Sequence, residues 1–171
     1  RHNTLLWNRG DGTYAEIAQY AGVDASEWSW SVVFLDVDLD GYEDLLVANG
    51  HAYDTQDLDM SESQPPAAVE AGAQPGKILK DFPSLRTPNC LFRNRGDRTF
   101  EEVGAAWGFH SDQVSHGICL ADLDLDGDQD VAVSCLWAPP LLYRNDSTAP
   151  RLAVRLKGGA GNVQGIGAAI R

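Results

Sequence analysis

Apolar residues along this chain gather in short runs, and each run breaks at a cluster rich in Asp, Asn or Gly. "SVVFLDV" (31–37) and "EDLLVA" (43–48) are two such runs, built from Val, Leu and Phe and of strand length. Their apolar positions are nearly continuous rather than alternating, so they predict strands in sheets covered on both faces. "TLLWN" (4–8) and "TYAEIA" (13–18) are shorter and flank "RGDG". Asp-Gly between two such runs signals a hairpin, because glycine reaches positive φ without steric cost. The pattern predicts an all-β chain of short antiparallel strands.

The runs recur. "NTLLWNRGDGTYAEIAQYAG" (3–22) lies over "NCLFRNRGDRTFEEVGAAWG" (89–108) at an offset of 86 residues, with no gap. At the same offset "WSVVFLDVDLDGYEDLLVA" (30–48) lies over "HGICLADLDLDGDQDVAVS" (116–134), and 17 of the 48 positions from 3 to 50 are identical. A register held over that length marks a structural repeat. A third copy begins at "LLYRND" (141–146), and "RLAVRLKG" (151–158) reads as one more strand. Residues 51–88 break the rhythm with five prolines and few β-branched residues. They read as a long excursion between two strands, with a helix expected near 66–72.

Between the paired runs stands the most unusual feature. Asp36, Asp38, Asp40, Gly41 and Asp44 spell D-x-D-x-D-G-x-x-D, and Asp122, Asp124, Asp126, Gly127 and Asp130 repeat it. Four carboxylates within nine residues repel one another unless a cation sits among them. Ca²⁺ takes six to eight oxygens in irregular geometry, whereas Mg²⁺ demands a strict octahedron and keeps its waters. Positions 1, 3 and 5 offer side-chain oxygens, the glycine permits the turn, and Tyr42 or Asp128 offers a main-chain carbonyl. Asp44 or Asp130 closes each site. The opening matches an EF-hand loop, but position 12 is Val47 or Val133, inside an apolar run. Two Ca²⁺ sites between β-strands are therefore expected, against the plainer reading of solvated acidic turns.

The residue totals narrow the partners. With 25 acidic and 13 basic residues the net charge is −12, which disfavours nucleic acid and favours cations. Two bound Ca²⁺ would leave −8, still acidic. No apolar stretch is long enough to span a membrane. The chain opens on Arg1 and ends in mid-pattern at "GIGAAIR", which reads as a segment of a longer polypeptide. Cys90, Cys119 and Cys135 are an odd set. They read as buried free thiols, with a Cys119–Cys135 bridge as the alternative.

The acidic strand-loop-strand followed by "LFRN", "GD" and "TF" resembles the FG-GAP or VCBS-type repeat of β-propellers, the kind of blade also found in integrin α-subunit heads. "VANGH" (47–51), "APPLLYRND" (138–146) and "RLAVRLKGGAGNVQGIGAAI" (151–170) extend the likeness to secreted bacterial FG-GAP/ASPIC-UnbV proteins, relatives of the animal cartilage acidic proteins. The resemblance implies blades of four antiparallel strands, about two and a half in this chain, with a calcium loop between the first and second strands of a blade. Residues 1–29 would give the outer hairpin of a preceding blade. Residues 30–110 would form a full blade (strands 30–37, 44–49, 89–94 and 99–104) carrying the 51–88 insertion. Residues 111–150 would belong to the next blade (116–122, 130–136, 141–145 and 152–157), and 151–171 would open an ASPIC/UnbV segment. A closed propeller takes about four to eight blades, so open edges are expected to invite pairing.

Other motifs weigh less. Arg9-Gly10-Asp11 and Arg95-Gly96-Asp97 spell RGD but sit where the repeat places its turn. His2, His51, His110 and His116 have no zinc spacing. His51 with Asp54, Asp57 and Asp59 is a candidate for another cation or a partner contact. Trp28 and Trp30 read as fillers between blades, or else as a carbohydrate platform. Ser115, His116 and Asp112 lie on or beside one strand, where alternation separates neighbours, so they make no triad. The sequence therefore points to a non-enzymatic, calcium-binding extracellular, cell-surface or periplasmic scaffold that contacts a protein or assembles with itself. A glycan-binding or enzymatic propeller with structural calcium is the alternative. Extracellular modules bind Ca²⁺ at about 10⁻⁴ to 10⁻³ M, which suits that setting.

Overall fold

The computed structural model describes residues 2–55, 82–152 and 154–170. The helix expected near 66–72, with Asp57 and Asp59, lies outside them. Among the described residues nine strands and two single helical turns follow in order: β1 (Leu6–Asn8), β2 (Tyr14–Glu16), α1 (Ala18–Ala21), β3 (Ser29–Leu35), β4 (Asp44–Asn49), β5 (Cys90–Asn94), β6 (Phe100–Glu102), α2 (Gly104–Trp107), β7 (Ser115–Ala121), β8 (Asp130–Cys135) and β9 (Leu141–Tyr143). All pairings between strands are antiparallel. β1–β2 is a hairpin, β3-β4-β5-β6 a four-stranded meander and β7-β8-β9 a three-stranded one. Among the described residues the sheets do not close into a barrel or ring, and no described helix is long and apolar enough to cross a membrane.

The 86-residue repeat of sequence is a repeat of structure. β1 and β5, β2 and β6, α1 and α2, β3 and β7, and β4 and β8 occupy matching positions. The helical turns after β2 and β6 are too short to leave a periodic trace in the sequence. β4 is buried along its whole length, as its continuous apolar run predicts. β3 instead alternates, with Val33 and Leu35 half-buried and Val32 and Phe34 exposed.

Two apolar clusters hold the sheets. In the first, Ala18, Ala21 and Val23 pack on Leu45, Val47 and Phe92, joining α1 to one face of the four-stranded sheet. In the second, Leu46 and Leu91 on the opposite face meet Phe109, Val131 and Val133, with Val33, Leu35, Ile118 and Leu120 around them. This second cluster binds the four-stranded sheet to the three-stranded one, and β3 lies against β7.

Three expectations need correction. Residues 152–157 were expected to complete the last sheet, but the described residues of that stretch form no strand and are exposed, so the sheet stops at three strands. Among the described residues no further sheet lies against their apolar side chains. The three cysteines are free, but Cys119 is exposed and Cys90 and Cys135 only half-buried. Cys119 stands opposite Ala132 and Cys135 opposite Ser115 on the paired strands, so the registers keep the two thiols apart. Trp30 stands between the two larger sheets, as a filler between blades would, but it is not buried. It sits at a register shift between Ser29 and Ser31, a bulge repeated at His116 between Ser115 and Gly117, and a bulge re-aims its side chain. Its ring stays half exposed, stacked on His51 and 4.6 Å from His116.

Candidate metal centres

Each acidic loop joins two strands that are neighbours in a sheet, and it is shaped by its own carboxylates. Asp36 accepts hydrogen bonds from the main-chain N–H groups of Asp40 (3.0 Å) and Gly41 (2.9 Å). Asp122 does the same for Asp126 and Gly127, both at 3.1 Å. Asp40 accepts from the Tyr42 N–H at 2.9 Å, and Asp126 from the Asp128 N–H at 3.2 Å. The loops turn through left-handed residues at Leu39 and Leu125 and at Gly41 and Gly127. For glycine that conformation is free, while for leucine it costs about 1–2 kcal/mol. That two loops at matching positions both hold it shows that the surrounding bonds impose the turn.

The last aspartate of each loop is a clasp. Asp44 is fully buried at the start of β4 and accepts from the N–H groups of Val37 (3.0 Å) and Asn94 (2.8 Å). Asp130 accepts from Leu123 (2.8 Å) and Asn145 (2.9 Å). Each clasp closes the loop and pins the end of the third strand. Burial pushes the Asp44 carboxyl up to about 6. The N–H groups of Asn94 and Val37 pull the other way, and the nearby charges of Asp38 and Asp40 add to the rise.

The remaining carboxylates converge. Asp36, Asp38 and Asp40 each bring an oxygen within 4.8 Å of the others, and Asp122, Asp124 and Asp130 do the same in the second loop. Asp44 and Asp126 are outside these triplets. The side chain of Tyr42 is exposed, and that of Asp128 is buried and meets Arg151 at 2.7 Å. Asp124 is raised by partial desolvation and by the charges of Asp126 and Asp130, whereas the Asp128 N–H lowers Asp126.

Two arginines missed in the sequence reading complete the electrostatics. Arg93 of β5 places Nε 2.7 Å from Asp38 Oδ2 and a terminal nitrogen 3.0 Å from Asp40 Oδ2, and the bond to Asp38 raises its own pKa. Arg151 serves the second loop through Asp128 and, at 3.9 Å, Asp126. The signal for the first was present as "RN" in "LFRN" and "LLYRND", but it misleads at Arg144, which pairs with Asp146 instead. Even with Arg93 in place, Asp38 Oδ1 is enclosed by protein and makes no hydrogen bond. A buried carboxylate oxygen without a partner is costly, and a cation at the Asp36–Asp38–Asp40 triplet would satisfy it. The donors are all hard oxygens, which suits a divalent cation such as Ca²⁺ or Mg²⁺ rather than a thiophilic metal.

The other motifs find structural places. Asp11 and Asp97 of the RGD tripeptides accept from both N–H and Oγ of Thr13 and Thr99, which lowers their pKa values. His51 bridges to Leu85, lies 4.5 Å from Trp28 and belongs to neither carboxylate triplet.

Comparison with known proteins agrees with this geometry. The chain is 38% identical over 69 residues to human (Homo sapiens) cartilage acidic protein 1, a match covering 40% of this chain and 10% of that protein. The chain thus spans about a tenth of the length of the curated relative it matches. Residues 1–47 and 84–133 match the FG-GAP-like repeat, and these segments include both acidic loops, the strands before them and most of the strands after them. By that match over more than half of its length, the chain belongs to the FG-GAP-like repeat family.

Proposed function

We propose that the chain is a calcium-stabilised extracellular interaction module, part of a β-propeller, that contacts protein partners and performs no catalysis. The observation that carries this reading is the pair of carboxylate triplets at matching repeat positions, one of them holding the buried, unpartnered Asp38 Oδ1. Ca²⁺ accepts such irregular oxygen sets, and membership of this family is typical of extracellular proteins. Bound calcium compensates charge that the two loops otherwise concentrate, and it holds the sheets in a form that presents their edges and faces. Asp36, Asp38 and Asp40 would hold one ion, and Asp122, Asp124 and Asp130 the other. Asp44, Asp126 and the carbonyls of Tyr42 and Asp128 would complete the shells.

Equilibrium dialysis against Ca²⁺ tests the assignment. Wild type is expected to bind two ions, and Asp40→Ala and Asp126→Ala one each. Equal stoichiometry in all three proteins would refute it. A glycan-binding reading has one observation in its favour, the half-exposed Trp30 ring stacked on His51 with Trp137 exposed nearby at Tyr53. Loss of binding on a glycan array with Trp30→Ala, at unchanged calcium stoichiometry, would support it.

A further inference from the structure

The two acidic loops receive their arginines differently. In the first, Arg93 reaches Asp38 and Asp40 from β5, the third strand of its own sheet, at 2.7 and 3.0 Å, and both carboxylates stay in the close triplet. Arg144 holds the matching place after β9, because Asn145 beside it closes the Asp130 clasp as Asn94 closes that of Asp44. Yet Arg144 turns to Asp146 at 2.8 Å, and both side chains are exposed. The second loop takes its cation from further along, where the chain has left the sheet at Arg151.

Arg151 lies across that loop. Its Nη1 is 2.7 Å from Asp128 Oδ2 and 3.9 Å from Asp126 Oδ1. Its Nη2 donates to the Ser147 carbonyl at 2.8 Å, and its Cδ is 3.4 Å from where a Cβ on Gly127 would stand. The side chain of Asp128 is fully buried, and its Oδ1 makes no hydrogen bond. The counterpart in the first loop is Tyr42, an exposed phenol. Asp126, unlike its counterpart Asp40, stands outside the triplet of close oxygens. A buried carboxylate calls for a cation beside it, and here the chain supplies its own.

We propose that the Arg151 guanidinium and a divalent cation compete for the second acidic loop, which makes this site the weaker of the two and ties its filling to release of Arg151. The inference rests on the calcium reading of the loops and adds to it a built-in competitor. Guanidinium and ion are drawn to the same carboxylates and repel each other at such distances. Asp126 joins the other carboxylates of its loop, as Asp40 does in the first, once Arg151 no longer draws on it. Release of Arg151 also removes its bond to Ser147. The chain beyond, exposed at Leu152, Val154 and Ile166, then loses this tie to the sheet. The linkage is reciprocal, so a partner that draws Arg151 away strengthens calcium binding at the second loop by the same factor.

Calorimetric titration with Ca²⁺ tests the competition on the full chain carrying Asp40→Ala, which leaves the second site to be read alone. Adding Arg151→Gln is expected to tighten that site by about tenfold. Because the substitution leaves the buried Asp128 carboxylate without its cation, a second measurement uses the wild-type chain. The restricted rotation of an ion-paired guanidinium is followed in the nitrogen NMR signals of Arg151 as calcium is added. It is expected to be lost as the second ion binds. An affinity that Arg151→Gln leaves unchanged or lowers in a folded chain overturns the inference. So does an Arg151 that stays restricted while both sites fill, and either result leaves the calcium reading standing. A chain that takes up no calcium at either loop overturns both.

Discussion

Asp44 answers two demands at once. Its two oxygens tie Val37 to Asn94, which requires a carboxylate at the start of a buried strand, and burial resists the charge that the bonds favour. Without a cation nearby, burial pushes its carboxyl up from the ordinary 3.8 to about 6. Between those limits the folded protein binds more protons at this site than the unfolded chain does, so the site's contribution to stability falls as pH rises through that window. A cation among Asp36, Asp38 and Asp40 offsets the neighbouring charges and removes part of the decline. Thermal melts across this range should therefore show chelated protein losing stability with rising pH relative to calcium-loaded protein. Parallel curves in the two conditions would show that the ion does not reach Asp44.

At the scale of elements, the repeat supplies its own controls. Leu91 and Leu142 hold the same place in β5 and β9, yet Leu91 is 3% exposed between two sheets and Leu142 is 69% exposed. Leu91→Ala should cost about 2–5 kcal/mol, a lost transfer term plus a cavity. Leu142→Ala should stay within about 0.5 kcal/mol. Denaturant midpoints at constant m-value measure both, and equal losses would mean that the outer face of the last sheet is covered in solution. The bulges at Trp30 and His116 are likewise paired features of the first strand in each sheet. They send an aromatic ring and an imidazole toward each other across β3 and β7, 4.6 Å between centroids.

For the whole molecule, the first acidic loop is one place where the two larger sheets are tied together outside their apolar contact; the Ile118 N–H donating to Ser31 Oγ at 3.3 Å is another. Asn145 Nδ2 donates to the Val37 carbonyl at 2.9 Å, and Ser147 Oγ to the Asp38 carbonyl at 3.4 Å. An ion bound at that loop, as proposed, would therefore stabilise both sheets. Chelation is expected to lower the melting temperature, and Asp40→Ala to lower it for the whole chain in one cooperative step. Two separated transitions in the calorimeter, with only one moved by the substitution, would show that the sheets unfold independently. The expected ring of blades is a statement at this scale too, and the described strands do not close one.

Spacing along the chain and its repeat are enough to locate the strands β1 to β8, the hairpin turns, the 86-residue repeat and both acidic loops. Each depends on residues close in sequence, where the two-residue strand period, a turn glycine or a run of aspartates acts directly on its neighbours. The uses of those residues were settled elsewhere. Asp44 and Asp130 became clasps because Asn94 and Asn145 stand beside them, and Arg93 reached Asp38 across 55 positions of chain. Trp30 was turned toward His116 by a bulge, and among the described residues no further sheet covers Cys119 or pairs with residues 154–157. Local chemistry determines where the backbone extends, turns and gathers charge. Burial, partner and exposure belong to the tertiary structure, because they depend on which distant surface comes to lie against each strand.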